Sequence, residues 1–394
     1  MKAKRGWLWV FIVAVSFGLQ SCMFLTTPLP VLKLIGAADK GDAQAVKEEL
    51  SGGTDVNGVI SSKGGVSALL AAASKGHVDV VKVLLEHGAD VNIKIISEFE
   101  NDEGDTVYIG TTPIMGAAAK GHTEVVQLLL DYGVNPNSAN ENGSSALSAA
   151  AAYGHKNCAE LLIDAGADVN AKSTKFFVFR GVNVYVGSNP LTGAAFNGHL
   201  DVVNLLLKKG ADPEIMNEKG TTPLFAAAAM NHPKICEALI DAGANVNAQI
   251  KEDYIYKENH TLEGNTPLIG PCAFGHYGVV KLLLEKGADP NLTNRVGLTP
   301  LMAAASKGHV KICNLLIEKG SDVNAKTTEK FTSIVDGPEI QPGLTALVGA
   351  VANGNPEIVK LLLDKGAKDE NDDALQLAKQ QGKSELIELL KAAK

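Results

Sequence analysis

The stretch of sequence that decides the fold is residues 71–92, which read AAASKGHVDVVKVLLEHGADVN. Small residues come first, then Gly-His, then apolar pairs at 80–81 and 84–85, and finally Gly-Ala-Asp-Val-Asn. The spacing of the apolar pairs is typical of one face of a helix. Gly76 suits a left-handed turn between this helix and the small residues before it. The stretch therefore predicts two short helices joined by a tight turn.

The same pattern recurs along most of the chain. Units of this kind bury their apolar faces against their neighbours, so a recurring unit predicts a solenoid rather than two or three separate domains. The copies are Ala117–Asn137, Ala149–Asn170, Gly193–Glu214, Ala226–Asn247, Gly270–Asn291, Ala303–Asn324 and Gly349–Glu370, with a degenerate copy at Val31–Asn57 and a final half-copy at Asp372–Lys394.

These units resemble the ankyrin repeat over nearly all of residues 31–394. Thr-Pro-Leu, Ala-Ala-x-x-Gly-His and Leu-Leu-x-x-Gly-Ala-Asp-x-Asn recur in this order. The resemblance implies an all-α repeat solenoid of helix-turn-helix pairs with β-hairpin loops. The family's His after Thr-Pro-Leu is replaced by Met115, Ser148, Thr192, Phe225, Ile269 and Met302. We therefore expect packing to replace the hydrogen bonds between repeats that this His supports.

Two further positions predict local geometry. Thr112, Thr222, Thr266 and Thr299 each precede a proline, which predicts a hydroxyl N-cap followed by proline at the first helical position. The turn glycine is replaced once, by Asn231, and Asn tolerates the left-handed conformation better than most residues.

The repeat spacing alternates between 33 residues and 44–46 residues. The extra residues lie where the resemblance implies a β-hairpin, and the β-branched and aromatic run at 176–186 around a Gly turn favours that structure. Five or six extra residues per strand lengthen a hairpin by roughly 17–20 Å. The solenoid is thus expected to carry long β-hairpin fingers on alternate repeats. Fingers 1 to 4 are residues 93–109, 171–187, 248–264 and 325–342.

The amino terminus has the features of an export signal. Lys2, Lys4 and Arg5 precede an apolar run, Gly6–Leu19, which is shorter than the roughly 20 residues needed to span a bilayer. The predicted organisation is a signal peptide (1–21), a linker (22–30) and a solenoid (31–394). The solenoid comprises a degenerate repeat at 31–64, full repeats at about 65–371 and a cap at 372–394.

Residues 19–22, Leu-Gln-Ser-Cys, resemble the bacterial lipobox. The resemblance implies that Cys22 becomes the lipid-bearing first residue of the mature chain, carrying palmitate-type acyl groups. It also implies a protein anchored by lipid in the bacterial cell envelope, on the periplasmic side or at the cell surface. The alternative is an ordinary cleaved signal followed by a chance cysteine.

Composition and motifs limit the classes of function. A net charge of −8 without a basic stripe argues against a nucleic-acid binder. The sequence has no G-x-S-x-G, H-E-x-x-H, Walker loop or paired metal-ligand motif, so we expect no catalysis, cofactor or metal. Cys158, Cys236, Cys272 and Cys313 occupy apolar repeat positions and are interpreted as buried thiols.

Two sets of residues are candidates for contacting a partner. The first comprises finger aromatics, since aromatic residues are common anchors at interfaces: Phe99, Tyr108, Phe177, Phe179, Tyr185, Tyr254, Tyr256 and Phe331. The alternative is that they pack finger on finger and cover strand edges. The second lies near the ends of the central first helices, where the resemblance implies a concave surface: Tyr153, Phe196, Met230 and Phe274. The alternative there is partial burial between repeats.

The outer repeats carry Lys75, Lys120 and Lys307 in the same region as this second set. Taken together, the sequence predicts a non-enzymatic protein–protein interaction module that binds a partner protein through its concave helix face and its fingers. The alternative function is an envelope scaffold or surface-displayed adhesin that associates with itself or contacts host material. The identity of the partner and the oligomeric state stay open.

Overall fold

A computed structural model describes residues 27–101, 106–179, 182–256, 259–332 and 340–393. Within these residues, twenty α-helices follow one another as ten helix-turn-helix pairs. The first helices of the pairs are α1 (Leu29–Lys40), α3 (Ala68–Lys75), α5 (Pro113–Lys120), α7 (Ala146–Tyr153), α9 (Pro190–Asn197), α11 (Pro223–Ala229), α13 (Ile269–Phe274), α15 (Pro300–Ser306), α17 (Ala346–Asn353) and α19 (Asp373–Gln380). The second helices are α2 (Ala43–Ser51), α4 (Val78–Glu86), α6 (Thr123–Asp131), α8 (Lys156–Asp164), α10 (Leu200–Lys208), α12 (Pro233–Asp241), α14 (Tyr277–Glu285), α16 (Val310–Glu318), α18 (Pro356–Asp364) and α20 (Ser384–Ala392).

The pairs stack in chain order into an all-α repeat solenoid. First helices contact first helices of neighbouring pairs, and second helices contact second helices, so the two sets form two layers. One apolar core runs between the layers from Val31 to Leu390. Alanines of the first helices allow the layers to approach closely, and Val, Leu and Ile of the second helices fill the space between them. This confirms the predicted fold class.

The four cysteines within the described residues lie in this core. Cys158, Cys236, Cys272 and Cys313 are free thiols and fully buried. Burial raises the pKa of Cys236 and of Cys313 to about 12. The interpretation of these residues as buried thiols is confirmed.

The turn between the helices of a pair has the predicted left-handed backbone. Gly76 and Gly154 have φ of 77° and 81°, and Asn231 adopts φ of 60°. The following His places its Nε2 within 3.0–3.2 Å of a main-chain carbonyl oxygen in the preceding repeat, as in His77 with Asp39 and His199 with Ala152. The repeats are therefore joined by hydrogen bonds from this second histidine position as well as by packing.

Replacing Gly154 by alanine is expected to destabilise the solenoid more than the same change at Gly166. Both glycines have positive φ, which costs an L residue about 1–2 kcal/mol. A Cβ at Gly154 would also lie 2.5 Å from Nδ1 of His199, whereas a Cβ at Gly166 would meet nothing within 4 Å. The His199 ring cannot move without loosening its bond to Ala152, so the clash adds about 2 kcal/mol. Denaturant unfolding measures both changes, and equal losses would contradict this account.

The predicted helix caps are correct at some positions and wrong at two. Thr222 and Thr299 accept hydrogen bonds from the main-chain N–H three residues on. The hydroxyls of Thr112 and Thr266 are buried and have no hydrogen-bond partner. In both cases the N–H that would reach the hydroxyl donates instead to the carbonyl oxygen of the same threonine. Helix α13 also begins late, at Ile269, because Pro271 has no N–H to donate back into the first turn.

The ends of the solenoid differ slightly from the prediction. Helix α1 begins at Leu29 and so takes up the last two residues of the predicted linker. The predicted half-copy at the carboxyl end contains two helices of ordinary length, α19 and α20. No helix among the described residues is long and apolar enough to cross a membrane.

The four fingers are two-stranded and antiparallel but have short strands. Their pairs are β3 (Phe99–Glu100) with β4 (Thr106–Val107), β5 (Phe177–Phe179) with β6 (Val182–Val184), β7 (Tyr254–Tyr256) with β8 (Asn259–Thr261), and a single bridge between Phe331 and Ile340. The amino-terminal repeat carries a smaller hairpin, β1 (Val59–Ile60) with β2 (Val66–Ser67).

The main-chain ladder of finger 2 is interrupted. In finger 2, main-chain bonds form at the base between Ser173 and Ser188, and again between β5 and β6. Between these stretches, the hydroxyls of Ser173 and Ser188 donate to the Tyr185 carbonyl oxygen at 3.0 and 2.8 Å. Side chains thus take the place of main-chain pairing in the middle of the finger.

Candidate functional site

A long groove lies between the layer of first helices and the fingers. It encloses about 1120 Å³ and is lined by residues from Asp39 on α1 to Thr332 in finger 4. Pockets for small ligands usually enclose roughly 300–1,000 Å³. The groove therefore exceeds that range and extends over most of the repeats.

Small side chains form the floor of the groove on the helix side. Gly116, Ala152, Gly193, Ala229 and Ala273 line it on successive first helices. Gly116 and Gly193 occupy one position of the repeat and the three alanines occupy another, three residues further on. Their short side chains leave room above the helices. A ligand can therefore approach the helix main chain closely.

Three of the four residues predicted on the first helices line the groove. Tyr153, Phe196 and Phe274 rise at the ends of α7, α9 and α13, and Phe274 is 44% exposed. Met230 follows α11, is partly buried and is not among the residues that line the groove. The rings of Tyr153 and Phe274 lie against His155 and His276 of their own turns, with ring centroids 6.3 and 5.9 Å apart.

The predicted finger aromatics form the opposite wall. Phe99, Tyr108, Phe177, Tyr185, Tyr254 and Phe331 all line the groove. They also contact one another across fingers, since the Tyr108 and Phe177 rings lie 5.5 Å apart and the Tyr185 and Tyr254 rings 5.4 Å apart. The Tyr108 hydroxyl donates to the Val178 carbonyl oxygen. The aromatics therefore pack finger on finger, as the alternative interpretation expected, and the same rings face the groove.

Short turns between the long fingers tie this wall together. Thr174 N–H in finger 2 donates to Asn142 O in the preceding turn, and Glu218 N–H in the next turn donates to Val186 O in finger 2, both at 2.8 Å. The same arrangement recurs at fingers 3 and 4. Between these two fingers, the guanidinium of Arg295 forms ion pairs with Asp253 of finger 3 at 2.9 Å and with Glu329 of finger 4 at 2.7 Å. The finger wall is thus a connected row rather than a set of separate hairpins.

Finger 4 is held mainly by apolar contact. Phe331 is only 8% exposed and packs with Leu262 of finger 3 and Val296 of the intervening turn. Its ring therefore contributes chiefly to the packing of the wall.

Some predicted residues lie outside what the structure describes. Cys22 is outside the described residues, as are the side chains of Phe179 and Tyr256 at the ends of β5 and β7. No group of three or more metal-ligating side chains is found in the described part of the chain.

Sequence reasoning missed one row of groove residues. Met115, Ser148, Thr192, Phe225 and Ile269 line the groove between the floor and the fingers. These are the positions at which the ankyrin-type His is absent. The sequence did carry a signal for this row, because the His after Thr-Pro-Leu is replaced by several different residue types at one repeat position. Such variation is expected where repeats face a ligand rather than each other.

Comparison with known families gives consistent matches along the chain. A family model described as "Ankyrin repeats (3 copies)" matches residues 94–173, 174–250 and 251–327. Models described as "Ankyrin repeat" and "Ankyrin repeats (many copies)" match residues 64–95 and 301–363. The second and third matches of the three-copy model each span one complete pair of a long and a short repeat.

Among solved structures, the chain is similar to the crystal structure of the human ASB11 ankyrin repeat domain. The identity is 26% and the TM-score 0.51, over 65% of this chain and 98% of that domain. A search of curated proteins finds no match.

Proposed function

The chain belongs to the ankyrin-repeat family, and from this premise we propose that its groove holds a segment of a partner protein. Ankyrin repeats indicate a protein–protein interaction module, and their fold is typical of non-enzymatic scaffolds. The observation that carries the proposal is the pairing of two aromatic walls over a floor of small residues. Aromatic side chains are the commonest energetic anchors at protein interfaces. The small floor residues leave room for a ligand between the walls.

The rigidity of the groove supports this proposal. The helix wall is fixed by histidine bonds between repeats, and the finger wall by the Tyr108 hydroxyl and the Arg295 ion pairs. A preformed site loses little conformational entropy on binding. A partner segment would therefore enter a surface that is already shaped.

Affinity capture tests the proposal. The full chain is used to capture proteins from an envelope extract, and the retained proteins are identified by mass spectrometry. A partner retained by the native chain, and lost when Phe196 and Phe274 are both replaced by alanine, is the expected result. Equal capture by both chains would contradict the use of the groove.

We further propose that the solenoid is held at a membrane of the bacterial envelope by lipid on Cys22. The support is the sequence 19–22, which resembles the lipobox, after a short apolar run. Helix α1 begins seven residues after Cys22, which corresponds to at most about 25 Å of extended chain. The solenoid would then remain close to the lipid surface.

Labelling of cells with a palmitate analogue tests the anchor. The native chain is expected to take up label, and a Cys22→Ala variant none, because the acyl groups need the cysteine thiol and the new amino terminus. A Cys158→Ala variant is the matched control and should label like the native chain, since Cys158 is buried in the core. A native chain without label would exclude the lipid anchor.

A further inference from the structure

The centre of the groove carries no charge. Between Asn140 and Leu298, every described residue that lines the groove is uncharged, on the helices and on the fingers alike. A charged side chain placed in this stretch would lose hydration without meeting an opposite charge, which is costly. A ligand is therefore recognised there through apolar contact and neutral hydrogen bonds.

Asparagine amides with a fixed orientation line this central stretch. Asn140, Asn217 and Asn294 occupy the same place in three short turns, at equal spacing in the sequence. The Oδ1 atom of each accepts two main-chain N–H groups of its own turn at 3.0–3.2 Å. Because an N–H group donates to the oxygen and not to the amide nitrogen, these bonds settle which end of each side chain is Oδ1. They leave Nδ2 on the side away from those N–H groups.

The unused groups of these amides are donors rather than acceptors. Asn217 is only 7% exposed and lines the groove, and its Nδ2 makes no hydrogen bond with any residue that the structure describes. Within the same described residues, Nδ2 of Asn140 and of Asn265 also has no partner. The oxygen of Asn265 accepts from Asn294 Nδ2, and the oxygen of Asn189 accepts from the N–H three residues on. The buried and half-buried asparagines of the groove can therefore donate to a ligand, while their oxygens are already occupied.

The spacing of the repeats matches one regular conformation of a polypeptide. Packed helices lie about 8–10 Å apart, so equivalent side chains of successive first helices recur at about this distance. A polyproline II helix rises about 3.1 Å per residue with three residues per turn, so every third residue returns to the same side after about 9 Å. A β-strand returns to the same side after roughly 6.6 Å and falls out of step with the repeats. A ligand in the polyproline II conformation thus presents one residue to each repeat.

Aromatic rings recur along the same stretch. Tyr153, Phe196 and Phe274 line the groove from the helix wall, and Tyr185 and Tyr254 line it from the finger wall. Aromatic-lined grooves are suited to proline-rich segments, which are already in the polyproline II conformation before they bind. Proline has no N–H, so such a segment offers mainly C=O acceptors. These acceptors complement the asparagine donors.

We propose that the centre of the groove binds an uncharged, proline-rich segment of a partner protein in the polyproline II conformation, with proline recurring at every third residue. This inference rests on the function proposed above and names the chemistry of the partner. The three steps from α7 to α13 correspond to roughly 24–30 Å. A polyproline II helix covers this distance with about 8–10 residues.

A neutral sugar chain is the other class of ligand that uses aromatic rings and amides. Sugar hydroxyls both donate and accept, so they need acceptors in the site as well as donors. The amide oxygens of Asn140, Asn217 and Asn294 are taken by the turns. The groove therefore favours a chain of C=O groups over a chain of hydroxyls.

Selection from a library of random 12-residue peptides displayed on phage tests the inference. The immobilised full chain is the target, and peptides that also bind a chain with Phe196 and Phe274 both replaced by alanine are removed. In the remaining groove-dependent peptides, we expect proline to be enriched with a period of three residues. Lys, Arg, Asp and Glu should be depleted relative to the unselected library.

Insertions into one selected peptide test the period. The peptide is synthesised with a fluorescent label, and its affinity is measured by polarisation. One alanine inserted at the centre shifts half of the prolines out of step with the repeats and should weaken binding on the order of 30-fold. Insertion of Pro-Ala-Ala restores the step and should keep the affinity within threefold. Equal losses from both insertions would contradict the match between the peptide and the repeats.

Replacement of Asn217 by aspartate tests the donor role. The carboxylate keeps an oxygen for the Lys219 and Thr221 N–H groups, so the turn is retained, but the Nδ2 donor is lost and a charge is added. The affinity of the selected peptide should fall about 10- to 100-fold. The matched control is Asn204→Asp on the exposed face of α10, away from the groove lining, which should bind like the native chain. Native affinity in the Asn217 variant would contradict the inference.

The outcomes distinguish this inference from the proposed function. Groove-dependent peptides without periodic proline would overturn the inference and leave the groove as a protein-binding site. Displacement of the peptide by micromolar maltohexaose would assign the groove to sugar chains and overturn it as well. A library that yields no groove-dependent peptide would also overturn the inference, and affinity capture would then decide the proposed function.

Discussion

Replacement of Phe196 and Phe274 together by alanine is expected to weaken partner binding about 1,000-fold. Both rings line the groove, on first helices two repeats apart, and Phe274 is 44% exposed in the free chain. Interface anchors of this type contribute about 2 kcal/mol or more each, so two of them correspond to about 4 kcal/mol, or three factors of ten in affinity. The fold should be largely retained, because both rings stand at the surface ends of their helices.

The control for this variant is Tyr132→Ala. Tyr132 follows α6, is as exposed as Phe274 at 44%, and does not line the groove. Binding of the captured partner is measured by surface plasmon resonance, and folding is followed by circular dichroism. The Tyr132 variant should bind like the native chain. If the double variant binds within threefold of the native chain, Phe196 and Phe274 do not anchor the partner, and the prediction is wrong.

Replacement of Leu224 by alanine is expected to reduce the free energy of unfolding by about 2–5 kcal/mol. Leu224 on α11 is fully buried, and the truncation leaves a cavity in a densely packed core. Because each repeat is stabilised mainly by its neighbours, the loss should be felt first in the central repeats. Hydrogen exchange should show faster opening around α9 to α13 than at α3 or α17.

The matched control is Leu29→Ala on α1. Leu29 is 55% exposed, and surface truncations of this kind usually change stability by less than about 0.5 kcal/mol. Guanidinium unfolding followed by circular dichroism measures both variants. Similar midpoints for the two variants would mean that the core at α11 does not limit the stability of the solenoid.

Most of the solenoid was predictable because each repeat uses local signals. Gly76 and its equivalents, and Asn231 in the same place, mark the turn through their tolerance of positive φ. The apolar pairs mark the second helix, and the alternation in spacing marks the fingers. The caps at Thr112 and Thr266 were not predictable, because two alternative acceptors on the same residue compete for one N–H.

The candidate site was predictable in composition but not in arrangement. The finger aromatics were identified, yet the contact between Tyr108 and Phe177 joins residues that are far apart in sequence. Such contacts depend on the register and twist of short strands, which no local pattern encodes. Phe225 and the residues at its repeat position were missed because they were considered only as replacements for a histidine. The groove is lined only by uncharged residues between Asn140 and Leu298, and this depends on which residues of the two walls come together in the fold.

Photo-crosslinking from within the groove tests the central claim most directly. In one variant, p-benzoylphenylalanine replaces Phe196 and keeps an aromatic ring in place. In a control variant, p-benzoylphenylalanine replaces Asn204 on the exposed face of α10. Irradiation of cells that express each chain is followed by mass spectrometry of the adducts. The account predicts one partner protein crosslinked at position 196 and absent at position 204. No protein adduct at 196, or the same adducts at both positions, would contradict it.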